Sequence, residues 1–528
     1  MEEKTLGIML DCSRNAVMKP EKVKEFAKLI SDMGYHMLQL YTEDTYEIPG
    51  EPYWGHMRGR YSQEELKDID RYCQSVGIEL VPCIQTLAHL SQPSQWEVYA
   101  PLYDCHDILL AGEPKVYELI EKMFQSLREC FTSKRVNIGM DEAHFLGRGK
   151  YQDKHGYRNR TEILCKHLER VREIANRYGF QIMMWSDMFI RLHNHGDYYG
   201  EHIHIPQETI DMVPEDVQLI YWDYYSKEKS HYDMMWDTHK NFRNSIGFAG
   251  GLWTWTGYAP NLSKTWDVIE PAMRSVYERS VETTFFTMWG DGGKECSFFT
   301  QLPMLFVVSQ MWQGNFDKAS IQQEFADRYG YTFEEFLNLE LANRIDEERG
   351  NNNPSKYLLF NDPFIGIFDS VVCEGIGEHY LRSAEILSQS INGRAYDYLF
   401  EVQQKLCSVL AKKADLGVRI RKAYQAGDSE VLREIAWNVI PSIKQDLKAF
   451  FENFRTLWMR ENKPFGLEVQ EARFGGLLYR METCEARLKE YLSGAVEHID
   501  ELEEETLVKY KTMDCHIDWH SIITTCNN

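Results

Sequence analysis

EKVKEFAKLISDMGYHMLQLYTEDTY, residues 21–46, contains one complete unit of a repeat. Its first half is amphipathic with helical period, and its second half is a short apolar run rich in strand formers. Gly34 divides the two, where a residue with positive φ closes a helix at little cost. The run ends in polar Thr42, Glu43 and Asp44.

The unit recurs in both directions along the chain. Strand runs LGIML (6–10), GIELVPCI (77–84), RVNIGM (135–140), QIMMW (181–185), VQLIYW (217–222), SIGFAGGLW (245–253) and TTFFTMW (283–289) join HMLQLY (36–41), giving eight. Helical stretches at 62–77, 114–131 and 160–179 lie between them, and two of these also end at a glycine, Gly77 and Gly179. Alternating strands and helices make a parallel sheet, and eight units within about 315 residues fit a closed (β/α)8 TIM barrel better than an open doubly wound sheet. An open sheet would carry a glycine-rich turn after its first strand, and neither GxGxxG nor GxxxxGK[ST] is present there. Beyond residue 315 the strand signals fade into long charged helices. The expectation is a catalytic barrel over 1–315 and an all-α C-terminal domain over 316–528, with residues 350–364, rich in Asn, Gly and Pro, forming a loop between helices.

The 528 residues are 43% hydrophobic and 26% charged, an ordinary folded composition, with a formal net charge of -23. That charge excludes nucleic acid and anionic membranes as partners, since both require a positive footprint. No apolar run approaches the roughly 20 residues of a membrane span, and MEEKTLGIML carries acids where a signal peptide carries bases, so a cytoplasmic protein is expected. The 12 cysteines have no repeated spacing, and Cys83 and Cys165 sit inside apolar patterns as reduced core thiols. Neither the loose set Cys515, His516, His520 and Cys526 nor the four histidines of residues 191–205 fits a zinc spacing. No metal and no cofactor are expected.

Active sites of parallel barrels lie at the carboxyl ends of the strands. The polar residues there are Asp11 and Arg14, Glu43 and Asp44, His89, then Asp141, Glu142 and His144. The later strands supply Trp185 and Asp187, Trp222, Asp223 and Tyr224, Trp253, Trp255 and Tyr258, and Trp289 and Asp291. Carboxylates combined with tryptophan faces suit a sugar ring better than a phosphate, which would call for glycine-framed helix N-termini and more than one basic group. Asp141 and Glu142 are sequence neighbours, which in a strand point to opposite faces. Both reach one pocket only if the chain leaves strand geometry, and Gly139 permits that turn. The bland alternative for the pair is a helix start whose carboxylates satisfy free amides.

The run NIGMDE, 137–142, resembles the H-[IV]-G-G-D-E signature of glycoside hydrolase family 20 β-N-acetylhexosaminidases, with Asn for His and Met for the second Gly. LDCSR with Arg14, LVPCIQTLAHL with His89, MMWSD with Trp185, IYWDY with Trp222 and MWGD with Trp289 and Asp291 come in the family's order. YTEDTY and the WDY segment look closest to its compact branch, which lacks the small α/β domain before the barrel. The resemblance implies an exo-acting, retaining, substrate-assisted hydrolase of a terminal N-acetylhexosamine on a glycan or glycoconjugate. On it, Asp141 orients the 2-acetamido group, whose carbonyl oxygen is the nucleophile, and Glu142, with a raised pKa, protonates the leaving oxygen and then activates water. Arg14 matches the hydroxyl-binding Arg, and His89 the supporting His. Trp185, Trp222 and Trp289 match the pocket walls, and Asp291 stands where the family has a Glu on the outer hydroxyls.

The family's tyrosine on the acetamido carbonyl has no clear counterpart. Trp253, Trp255 and Tyr258 compete for its place, and Tyr224 is a further candidate; Glu43 completes the substrate-binding set. A retaining glycosidase with its own carboxylate nucleophile and a silent glycan-binding protein are the competing functions. A homodimer through the helical domain stays open, as does the choice between GlcNAc and GalNAc.

Overall fold

The computed structural model describes residues 4–255, 257–345, 353–511 and 519–526. Eight parallel strands close a barrel: β1 Thr5–Asp11, β2 Met37–Tyr41, β3 Glu79–Cys83, β4 Arg135–Asn137, β5 Gln181–Trp185, β6 Gln218–Trp222, β7 Ile246–Gly251 and β8 Thr283–Met288. Each pairs with its neighbours in chain order, and β8 closes on β1, with Thr5 opposite Thr283 and Leu10 opposite Met288. The strands read as nearly unbroken apolar runs because both faces are covered, one by helices and one by the barrel interior. Helices Pro20–Asp32, Gln63–Ser75, Pro114–Cys130 and Arg160–Arg177 stand where the periodicity places them. The Gln63–Ser75 helix starts at a capping box, with Ser62 and Glu65 each holding the other's backbone amide.

Alternate strand residues face the interior and meet across it. Cys83 Sγ lies 3.8 Å from Met9 Sδ, and Trp185 of β5 packs 5.7 Å from Phe285 of β8. Strands β5 and β8 are not neighbours, so that contact passes through the barrel. The pattern carries Tyr41, Trp185 and Trp222 to the carboxyl ends of their strands on the inward side.

Two compact units divide the chain. One groups Met1–Leu252, Lys264–Trp289 and Met304–Asp317; the other groups Trp253–Ser263, Gly290–Pro303 and Lys318–Asn528. The stretches after β7 and β8, residues 253–263 and 290–303, thus make their contacts with the helical sequence. Within the second unit Tyr258 packs 5.4 Å from Phe450, 5.5 Å from Phe454 and 6.1 Å from Phe474. Buried Glu295 pairs there with Lys356 at 2.5 Å and Arg473 at 3.0 Å. The longest helices of this unit are Asp397–Lys413, Ile440–Glu461 and Leu467–Ser493, and among the described residues every strand lies before residue 289.

One local expectation fails. Residues Pro354–Phe360 are helical, not looped, because Pro354 occupies the first helical position, where its missing N–H costs nothing and its fixed φ suits a helix. Cys83 and Cys165 are buried. Cys515 and His516 lie outside the described residues. Among the described residues no helix is long and apolar enough to cross a membrane.

Candidate active site

Strand β4 is only three residues long, and the turn after it builds the site. Ile138 still donates its amide to Met183 O at 2.9 Å and accepts from Thr86 N at 3.1 Å. Then the backbone turns left-handed three times in four residues, at Gly139 (φ 73°), Met140 (φ 69°) and Glu142 (φ 50°). This departure lets the adjacent Asp141 and Glu142 serve one side of the barrel. Left-handed Met140 and Glu142 each cost roughly 1–3 kcal/mol of backbone strain, a cost that persists where the surroundings over-determine the conformation.

Gln85, just beyond β3, supplies much of that determination. Its Oε1 accepts from Met140 N at 3.1 Å, and its Nε2 donates to Asp141 Oδ1 at 2.8 Å and to Tyr41 Oη at 3.1 Å. A Cβ on residue 139 would lie 2.0 Å from Gln85 Oε1, so glycine is required here for space as well as for φ.

The two carboxylates occupy different environments. The Asp141 side chain is 12% exposed and that of Glu142 38% exposed. His89, itself left-handed at φ 55°, brings Nε2 to 3.3 Å from Asp141 Oδ2 and 3.6 Å from Glu142 Oε2. Burial alone would lower His89, but the Asp141 charge overrides it and pushes the imidazole up to about 9. Burial would likewise raise Asp141; the His89 charge and the Gln85 hydrogen bond outweigh it and hold the carboxyl below its ordinary value. Asp141 is therefore a carboxylate facing an imidazolium at neutral pH.

On the other flank, Asp187 Oδ2 accepts from Glu142 N at 3.1 Å and from Arg191 Nε at 3.0 Å. Arg191 Nη2 in turn lies 3.4 Å from Glu142 Oε1. Burial first, then the Asp141 charge, raises the Asp187 carboxyl to about 7 against the pull of Arg191.

A continuous set of contacts runs from Arg14 to Trp222. Arg14 Nε donates to Glu43 Oε1 at 2.9 Å, and Tyr41 Oη donates to the same oxygen at 3.0 Å. The Arg14 guanidinium sits 5.5 Å from the centre of the Trp289 ring, whose edge meets Tyr41 at 4.8 Å and whose neighbour at 6.3 Å is Trp185. The Tyr224 hydroxyl accepts a hydrogen bond from the Trp289 indole and is hydrogen-bonded to Thr287, and its ring stacks on Trp222 at 5.2 Å. The result is an aromatic floor and wall with one cation–carboxylate pair at one end and the Asp141–Glu142 pair beside it.

The structure therefore brings together Arg14, Glu43, His89, Asp141, Glu142, Trp185, Trp222, Tyr224 and Trp289 in the barrel unit. Trp253, Trp255 and Asp291 belong to the second unit, where Trp253 and Trp255 stack on each other at 4.4 Å. Tyr258 donates its hydroxyl to Gln470 at 3.3 Å within that unit and is 1% exposed, which commits it to the helical core. Gln85, Tyr41 and Arg191 are new to the site. Asp187 is legible in the sequence as a strand-end carboxylate, whereas Tyr41 and Gln85 sit on runs that read as ordinary strand and loop, and Arg191 opens the histidine-rich run 191–205.

Fold and site together define a closed parallel barrel whose strand ends gather paired carboxylates and tryptophan faces. Residues 6–241 match the family described as "Glycosyl hydrolase family 20, catalytic domain", and residues 334–519 match "Glycoside Hydrolase 20C C-terminal domain". The chain belongs to glycoside hydrolase family 20. Human Hexosaminidase D is 24% identical over 224 residues, 40% of this chain and 43% of that protein. A "Probable beta-hexosaminidase" of Arthroderma benhamiae is 22% identical over 385 residues, 61% of this chain and 56% of that protein. The chain thus spans about half the length of the curated relatives it matches. Among solved structures, the GH20 exo β-N-acetylglucosaminidase of Vibrio harveyi aligns with TM-score 0.47 and 14% identity, over 64% of this chain and 58% of that one.

Proposed function

We propose that this chain is an exo-acting β-N-acetylhexosaminidase that releases a terminal N-acetylhexosamine with retention, through a substrate-assisted oxazolinium intermediate. The observation that carries the reading is the division of labour between neighbours: Asp141 is buried, anionic and held by Gln85 and His89, whereas Glu142 is partly open to solvent. In the first step the acetamido carbonyl oxygen attacks the anomeric carbon and the glycosidic C–O bond breaks. Its electron pair stays on the leaving oxygen, which takes a proton from Glu142. Positive charge then grows on the acetamido nitrogen, whose N–H faces the Asp141 carboxylate, a charge-assisted contact that strengthens towards the transition state. In the second step water loses a proton to Glu142 and attacks the anomeric carbon, reopening the acetamide.

Arg14, oriented by Glu43 and Tyr41, holds ring hydroxyls, and Trp185, Trp222 and Trp289 cover the apolar ring face and the acetamido methyl. Tyr224 steadies the carbonyl by donating its hydroxyl proton, while its oxygen accepts from the Trp289 indole N–H. The free and mostly buried thiols suit a reducing compartment, which supports a cytoplasmic role, as a monomer or a homodimer.

Paired aryl N-acetyl-β-glucosaminide and N-acetyl-β-galactosaminide assays test the reading. Release of aglycone, blocked tightly by an oxazoline-mimicking thiazoline, supports it; turnover untouched by the thiazoline points to an enzymic nucleophile instead, and no sugar release from either points to a binding protein.

A further inference from the structure

We propose that Asp187 and Arg191 are the positioning residues of Glu142: Asp187 fixes the left-handed peptide that carries it, and Arg191 aims its carboxyl. The inference rests on the assignment of Glu142 as proton donor.

Asp187 opens the short helix Asp187–Arg191 directly after β5, and its side chain is fully buried. The ordinary reading of an Asp at a helix start is a cap on that helix's own free amides. Here the acceptor serves another segment: Oδ2 takes the amide of Glu142, 45 residues away, at 3.1 Å. The peptide it holds is the one at φ 50°, which a free chain would abandon. The second carboxylate oxygen, Oδ1, is buried with no hydrogen-bond partner among the described residues. A buried carboxyl that leaves one oxygen unused weakens the fold, which is expected where a group is retained for what it positions.

Arg191 is tied from several directions. It lies four residues from Asp187 on the same helical face and donates Nε to it at 3.0 Å. Nη1 donates to Gly196 O at 3.1 Å, and the guanidinium lies 5.7 Å from the Tyr198 ring centre and 5.8 Å from that of Trp222. Nη2 is left for Glu142 Oε1 at 3.4 Å. A planar fork fixed this way offers one direction of approach, which a lysine could not reproduce. Its charge favours the carboxylate that Glu142 becomes once the proton has left, so its effect falls on the chemical step more than on sugar binding.

Asp187 is faced by Asp141 and Glu142 from the turn after β4, by Arg191 on its own helix and by Tyr198 beyond it. With its carboxyl raised to about 7, it passes from neutral to anionic across the neutral range, and the hold on Glu142 tightens as it ionises.

The test compares wild type, Asp187→Asn, Arg191→Gln and Arg191→Lys on an aryl N-acetyl-β-hexosaminide between pH 5 and 9, with affinity for a thiazoline inhibitor measured alongside. The expected result is a fall in kcat of about tenfold or more in Asp187→Asn and Arg191→Gln, a partial recovery in Arg191→Lys, and KM and inhibitor affinity within about threefold of wild type. An inflection of the wild-type profile near pH 7 should vanish in Asp187→Asn. Should Asp187→Asn fail to fold, the two Arg191 variants decide on the kcat criterion. A wild type that turns over, with variants within about threefold of its kcat or with KM and inhibitor affinity worsening in step with kcat, overturns this proposal alone. A wild type that releases no sugar overturns the assignment of Glu142 and this proposal with it.

Discussion

Gln85 Nε2 donates to Asp141 Oδ1 across 2.8 Å while the same amide's Oε1 holds Met140 N at 3.1 Å, so one side chain fixes both the carboxylate and the turn that presents it. Replacing it with leucine keeps the approximate volume but leaves a buried carboxylate oxygen and a strained amide unpaired. That loss is worth about 1–3 kcal/mol, so kcat/KM of Gln85→Leu should fall about tenfold or more. Unchanged kinetics would remove Gln85 from the site.

Gly139→Ala should be worse. The added Cβ falls 2.0 Å from Gln85 Oε1 at a φ of 73°. Urea unfolding should show a loss above about 2 kcal/mol, combining strain with displacement of Gln85. A stability equal to wild type would mean that the turn is not built as described.

The His89–Asp141 pair sets a pH signature in stability. His89 is raised in the folded state, from 6.5 to about 9, so its contribution is complete below pH 6.5 and disappears as pH rises through about 9. Asp141 is lowered, so its contribution is present above its ordinary value of 3.8 and is lost as pH falls below it. Unfolding free energy measured from pH 6 to 10 should decline in wild type and decline less in His89→Gln; parallel curves would deny the pairing.

Most of this architecture can be read in the sequence, for particular reasons. Barrel strands are buried on both faces and so appear as dense apolar runs, and residues 36–41 need no tertiary knowledge to be recognised. Gly139 before two adjacent acids signals a break from strand geometry, and the left-handed turns confirm it. Gln85 gives no such signal, because an amide beyond a strand end looks like any loop residue until the turn 55 positions later is folded against it. Arg191 opens the run 191–205, where the four histidines, and not the arginine, stand out in the sequence. Trp253 carries the same mark as Trp185, a tryptophan closing a strand run, yet it groups with the helical sequence, since strand-end position does not say which neighbours a loop will choose.

Tyr224 and Tyr258 separate cleanly by experiment. Tyr224→Phe removes the proton offered to the acetamido carbonyl and should lower kcat about tenfold or more. Tyr258→Phe loses only its bond to Gln470 and should cost about 1 kcal/mol of stability, read by urea unfolding, with kcat kept. The reverse pattern would reassign the carbonyl partner.

The central claim is that Glu142 moves the proton while Asp141 holds the substrate's own nucleophile. The most direct measurement is kcat/KM of Glu142→Gln on an N-acetyl-β-hexosaminide with a poorly acidic leaving alcohol. General acid catalysis contributes about 10²–10⁴-fold, so a loss in that range is predicted, with thiazoline affinity largely kept. Turnover within a few-fold of wild type would contradict the account.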